Sequence, residues 1–535
     1  MRIAERRHRM VFGFYNTKPS YKEEQTGSYS YQPYLSRIVG AVETGLPPEE
    51  VVEPPQPASY DLAGEILNAF EYVLQYAASN NLGPTKSSRF YYLWSFSVAG
   101  AHQRVSSTST VSGTKDGWNW DARFPLTGEA VSVWMLLTLE AIMPKFNGAY
   151  STVTAFQALA AANGWDETML ESQKQSAKTG GGYDAWLTAY NSWWAGRQAD
   201  GNVAAVVPPT NATLPNGAIR LDVALTVDPA TFPHPESWTP LKVGASSQNY
   251  MTYGWEDVRS ACLTAGNTTT IHAAADVYYP TTEQRQEEIS EVVEITNTLS
   301  DSEKVSAEFW AGGPFTVSPP GMLMWFWKIY LGIESRRTLS SVIYSALDLA
   351  LHLFETGRVV WGLKKAHMEA RPIQEIRRLF RTQSVKKYDG TDISGASWVP
   401  YQETNFVTPP FADFPSGHSA FSRSFANVMD AWFGSSIDSS ARVSMSDITL
   451  ISPALAPQTQ PYGTFVFGAR ASQIQTGVVP ASDVTLTWGT WADLAQSAGL
   501  SRKYGGIHAT SAHTGSVAAA DALHTAIVAN FPIVQ

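Results

Sequence analysis

Residues 338–372, "TLSSVIYSALDLALHLFETGRVVWGLKKAHMEARP", constrain the fold more than any other stretch. They read as helix, either one long helix or a broken one, stopped by Pro372. Helical character resumes near 283 and dominates to 380. Earlier, in "DLAGEILNAFEYVLQY", the apolar Leu62, Ile66, Phe70, Val73 and Leu74 recur at three- and four-residue steps, the stripe of an amphipathic helix. Further helices are expected near 127–146, 150–163 and 182–196. Another follows 417, where Phe421, Phe425, Val428, Met429 and Trp432 form a stripe ending at Gly434. The last is expected from about Gly515 to Asn530. Residues 200–245 read as a long excursion in which "AIRLDVALTV" alternates like a short strand, and 438–490 as loops with β-prone runs such as "DVTLTW". The expectation is a mainly α protein with long loops and a few short strands. Its parts are an extended arm at 1–58, a helical half at 59–280 and a second helical half at 281–535, together one compact domain.

Composition narrows the function. The chain has 535 residues, 44% of them hydrophobic and 18 of them tryptophan, enough for a sizeable core. Its 38 Lys and Arg against 48 Asp and Glu give a net charge of −10, which argues against general nucleic-acid binding. The lone Cys262 excludes an intramolecular disulfide and a thiolate metal cage. The longest apolar run, "VSVWMLLTLEAIM", is broken by Thr138 and Glu140 and reads as a core helix, so no membrane span is expected. No secretory signal is evident at the start, which predicts a soluble, intracellular protein.

In such an acidic chain, basic groups that converge need a local reason. "PPFADFPSGHSAFSRSF" (409–425) places a hydroxyl, a bare backbone amide and an imidazole together at Ser416, Gly417 and His418. A helix beginning there presents unpaired N–H groups and the positive end of its dipole, which suit an anion. Ser416 can add a donor, Gly417 permits close approach to the backbone, and His418 stands ready for proton transfer. An ordinary capped helix with a spare histidine has the same local sequence. In "WGLKKAHMEARP", Lys364 and Arg371 lie seven residues apart, which puts them on one face of a continuous helix, with Lys365 facing elsewhere. In "SRKYGGIHATSAH", Arg502 precedes His508 by six residues, and Gly505 and Gly506 imply a tight turn that folds the imidazole back. Alone, each of these two stretches reads more readily as a solvated basic surface. His513 is expected at the surface or behind the site.

Together and in this order, the three stretches resemble the signature segments of the vanadium-dependent haloperoxidase and phosphatidic-acid-phosphatase type 2 superfamily. The resemblance implies paired four-helix bundles and a tetrahedral oxyanion site. On the haloperoxidase branch it implies vanadate bound through His508 as the one covalent protein ligand, with Lys364, Arg371, Arg502, the Ser416 hydroxyl and the Gly417 amide on its oxygens. His418 and Lys364 then act on hydrogen peroxide, and halide is oxidised to hypohalous acid. Trp361 and Phe411 match the aromatic pair lining the halide pocket of fungal chloroperoxidases, which favours chloride competence, with bromide oxidised as well. "EFWAGGPFTVSPPG" (308–321) also looks like a segment preceding the first motif in haloperoxidases. The implied partners are peroxide and halide, with a small organic acceptor and self-association both open. Two carboxylates usual in the family are missing, at Ala512 and at Gly312-Gly313, and Asp413 is a candidate to stand in. Two rival readings are a soluble acid phosphatase with His508 as nucleophile, and a non-catalytic relative.

Overall fold

The fold is organised around one helix that is buried on every side. The computed structural model describes residues 60–332, 337–440, 442–443 and 460–534; the arm expected at 1–58 lies outside them. In chain order the principal helices are α1 (Leu62–Ser79), α2 (Gly83–Val105), α3 (Glu129–Ile142), α4 (Val153–Asn163), α5 (Glu167–Gly180), α6 (Tyr183–Gln198), α7 (Ala265–Asp276) and α8 (Thr282–Asn297). They continue with α9 (Asp301–Phe309), α10 (Ser318–Leu331), α11 (Leu339–His367), α12 (Pro372–Leu379), α13 (Gly417–Phe433), α14 (Trp491–Tyr504) and α15 (Thr510–Asn530).

The 338–372 stretch is a single unbroken helix as far as His367. Thr338 caps α11, its side chain accepting from the Ser341 N–H while Ser341 reciprocates. Buried positions then run all round it from Val342 to Lys364, as befits a helix enclosed by others. Helices α1, α2 and α7 pack against it from the first half of the chain, α10, α13 and α15 from the second. Close approach is visible at Gly357, where an added Cβ would stand 3.3 Å from Ser88 Oγ of α2. One hydrophobic core runs from Leu62 to Phe531. A smaller cluster joins Ile289, Val292, Ile373 and Ile376 of α8 and α12 to Leu221, Phe232 and Leu241 of the excursion.

The mainly α expectation holds, with corrections in detail. Pro372 does not stop α11. Met368 ends it in the left-handed region (φ 47°), and Pro372 opens α12, where its missing N–H costs nothing. Helix α2 escapes a stripe search because Ser87, Ser95, Tyr92, Trp94 and His102 bury every side of it. "AIRLDVALTV" supplies only β1 (Leu221–Asp222), parallel to β2 (Leu241–Val243), which pairs with β3 (Ser246–Ser247). "DVTLTW" forms more: β4 (Thr464–Phe467) and β5 (Val484–Thr487) are antiparallel. Helix α15 begins at Thr510, earlier than expected. Among the described residues no helix is long and apolar enough to cross a membrane.

The early start of α15 puts His513 inside the packing of α13, α14 and α15, not at the surface. Its Nδ1 is 2.9 Å from Ser419 Oγ and its Nε2 is 3.2 Å from Gln496 Oε1, so the ring is fixed at both ends. A Cβ on Gly499 of α14 would lie 2.4 Å from that ring. Gly499→Ala is therefore expected to destabilise the protein by about 1–3 kcal/mol, despite alanine's better helix propensity. Urea unfolding checks this; an unchanged or raised midpoint would show that the ring can yield.

Candidate active site

Three connections meet at one point: the turn from α11 to α12, the segment entering α13, and the turn from α14 to α15. Each is held by its own local chemistry. Ser416 caps α13, its Oγ accepting from the Ser419 N–H at 3.4 Å, so the hydroxyl hydrogen stays free to donate. The Ser416 N–H donates to the Ala512 carbonyl at 2.8 Å and its own carbonyl accepts from Ser516 Oγ at 2.7 Å, which ties this segment to α15. Gly506 has φ 68°, and a Cβ there would lie 3.1 Å from Pro400 and Trp398, so the turn that carries His508 needs glycine.

Lys364, Arg371 and Arg502 are all buried here, 0–2% exposed. Lys364 and Arg371 do not share a helix face, because α11 ends between them; the Met368 turn brings them together instead. The Lys364 Nζ donates to the Ala412 and Asp413 carbonyls at 2.7 and 3.0 Å. Arg371 donates through Nε to the Phe411 carbonyl at 2.6 Å, and through Nη1 to the Ile507 carbonyl at 2.9 Å and to His508 Nε2 at 3.2 Å. Both cations lie over the Phe411 ring, 5.0 and 4.9 Å from its centroid. Lys365 points away to Glu256, as expected. Burial, then repulsion by Arg371, pushes Lys364 well below its ordinary value and Arg502 down to about 9. Among the described residues, Arg371 Nη2 and Arg502 Nε have no hydrogen-bond partner. Buried donors are nearly always satisfied, so two orphaned guanidinium N–H groups beside a helix N-terminus fit an oxyanion with several oxygens.

The two histidines are held differently. His418 Nε2 lies 2.9 Å from the Trp310 carbonyl, which can only accept, so this nitrogen carries the hydrogen and Nδ1 the lone pair. Burial, followed by Arg502 and His508, keeps His418 far below its ordinary value. His508 is likewise neutral, burial bringing it to about 3 against the opposing pull of Asp413. Its Nδ1 lies against Asp413 Oδ1, while Asp413 Oδ2 accepts from Arg285 Nη2 at 2.9 Å. Burial alone would raise Asp413, but His508 and Arg285 outweigh it and hold the carboxyl below its usual range. Trp361 and Phe411 meet at 4.9 Å between centroids, the indole fixed by a 2.9 Å bond to the Met251 carbonyl. A pocket opens here, and Trp361, Phe411, Gly417, His418, Arg502 and His508 are among the residues that line it. Lys364, Arg371 and Ser416 are buried and do not line it.

A family model described as the VCPO second helical-bundle domain matches residues 344–530, a span that holds Trp361, Lys364, Arg371, His418, Arg502 and His508 but not Arg285 or Trp310. A bacterial vanadium-dependent chloroperoxidase superposes in its apo form with a TM-score of 0.55 at 14% identity, over 84% of this chain and 95% of that one. Its holo form gives the same score and identity over 84% and 93%. The structure described as the first bacterial vanadium-dependent iodoperoxidase gives 0.58 at 16%, over 88% and 97%. This chain has the vanadium haloperoxidase fold. No curated protein matches the sequence.

Within this haloperoxidase fold, the two missing carboxylates have different replacements. At Gly312 (φ 54°) an added Cβ would lie 3.1 Å from Pro319, so an acidic side chain would be strained there. The Trp310 carbonyl takes that role, accepting from both His418 and, at 3.3 Å, Arg502 Nη1. Where Ala512 lacks a carboxylate, Asp413 supplies one to His508 from the other side. Neither Arg285 nor the Trp310 carbonyl carries a signal in the sequence. Arg285 sits in "TTEQRQEEISEVV", which reads as a solvated helix face, and a backbone acceptor has no signature at all.

Proposed function

We propose that this protein is a vanadium-dependent haloperoxidase that oxidises halide with hydrogen peroxide to hypohalous acid. The observation that carries the reading is the pair of orphaned buried donors, Arg371 Nη2 and Arg502 Nε, converging with the start of α13 beside His508. Vanadate would be held there by His508 as its protein ligand, with Lys364, Arg371, Arg502, the Ser416 hydroxyl and the Gly417 amide on its oxygens. When bound, it supplies a pentavalent Lewis acid that activates peroxide. The chain's own groups provide the rest. His418, neutral and with its Nδ1 lone pair free, accepts a proton from hydrogen peroxide. Lys364 commits two of its three N–H bonds to main-chain carbonyls and keeps the third for the anion or the peroxide. Trp361 and Phe411 give a weakly hydrated wall on which a halide sheds water; bromide is the expected substrate, with chloride in reach. A small organic acceptor could enter the same pocket.

The acid-phosphatase reading draws on the same neutral His508, which would serve as a nucleophile on phosphorus. It needs His418 already protonated at rest, as donor to the leaving group, whereas burial beside Arg502 favours the neutral ring from which the peroxide reading starts. Bromination of a dye by protein loaded with orthovanadate tests the proposal. Turnover should require vanadate, peroxide and bromide together, and turnover that persists without vanadate would refute it.

A further inference from the structure

We propose that Asp413 is a positioning residue for His508: anchored by Arg285, its carboxylate fixes the imidazole with hydrogen on Nδ1 and the lone pair on Nε2. The inference deepens the oxyanion reading above and rests on it for what Nε2 then holds. Two constraints from opposite edges of the ring demand the same tautomer. On one edge, Asp413 Oδ1 lies against Nδ1. An ionised carboxylate can only accept, so the nitrogen facing it carries hydrogen. On the other edge, Arg371 Nη1 lies 3.2 Å from Nε2. A guanidinium can only donate, so that nitrogen carries the lone pair.

Asp413 is itself immobilised. Its N–H donates to the Glu369 carbonyl at 3.0 Å, its carbonyl accepts from Lys364 Nζ at 3.0 Å, and its Oδ2 accepts from Arg285 Nη2 at 2.9 Å. Arg285 has little freedom in turn. It donates to the Ala370 carbonyl at 2.8 Å and faces Glu369 at 3.2 Å and Glu375 at 3.5 Å. A chain of fixed contacts thus runs from α8 through Arg285 and Asp413 to the ring. Without the carboxylate, a buried Nδ1–H would have no acceptor, and the tautomer with hydrogen on Nε2 would compete; that tautomer offers no lone pair to an electrophilic centre.

The test uses full-length protein with ¹⁵N-labelled histidine, His508→Ala serving to identify the His508 signals. Without vanadate, at neutral pH, the wild type should show one tautomer, protonated on Nδ1. Asp413→Asn should lose that single pattern, since a carboxamide can present either a donor or an acceptor. It should also bind orthovanadate about 10–100-fold more weakly by equilibrium dialysis, the usual effect of losing a partner behind a ligating histidine. Arg285→Lys, which keeps the charge but loses the fork, should give a smaller loss of the same kind and serves if Asp413→Asn does not fold. Wild-type His508 protonated on Nε2 would overturn the assignment, as would an Asp413→Asn protein with unchanged tautomer and affinity. A wild type with the expected tautomer that fails to bind vanadate would contradict the oxyanion reading and still support the positioning role.

Discussion

Replacing His508 by alanine is expected to bring vanadate-dependent halide oxidation down to background and to abolish vanadate binding. Apart from His418, which is assigned to the peroxide proton, the other groups around the site donate hydrogen bonds, and cationic donors attract any oxyanion without bonding its central atom. His508 Nε2 is the lone pair that Asp413 and Arg371 jointly preserve. The fold should survive the change, because Asp413 keeps its 2.9 Å contact with Arg285 and so is not left as an unpaired buried charge. The readout is therefore double. In the wild type, vanadate at 100 times its Kd should stabilise the folded state by about 2.7 kcal/mol. In His508→Ala that gain should vanish while unfolding in the absence of vanadate stays cooperative. Activity retained in the variant would remove His508 from the reaction.

The second large effect falls on a different step. His418→Ala should lower kcat by about 10²–10⁴-fold, the range for removing a positioned proton acceptor, while vanadate binding changes little. The basis is that the Trp310 carbonyl fixes His418 through Nε2, so that Nδ1 carries the lone pair that can take the proton. The carbonyl keeps its 3.3 Å bond from Arg502, so the cation should stay in place when the ring is removed. Steady-state bromination beside equilibrium dialysis separates the two effects. A parallel fall in vanadate affinity would mean that His418 holds the anion and does not serve as the proton acceptor.

The contrast between these residues indicates what one sequence reveals. Ser416, Gly417 and His418 were legible because helix capping, a bare amide and an imidazole crowd into consecutive positions, and each has a local physical meaning. The alignment of Lys364 with Arg371 was misread for the same reason: spacing assumes a continuous helix, and a methionine in the left-handed region gives no warning that the helix ends. Pro372 carried the needed signal but fits the start of a helix as well as its end. Asp413 could be named only as a candidate, since its contact with His508 depends on two turns docking on each other. Arg285 was invisible because burial by tertiary packing, not its helix neighbours, turns it into an anchor. Helix α2 was missed on similar grounds, its polar and aromatic faces being enclosed equally.

The most direct measurement is an X-ray structure of crystals soaked in orthovanadate, with vanadium located by its anomalous scattering. The account predicts a single vanadium bonded to His508 Nε2, its oxygens satisfying Arg502 Nε and Arg371 Nη2. Vanadium on another residue, or an unoccupied pocket in protein that brominates with vanadate present, would contradict it.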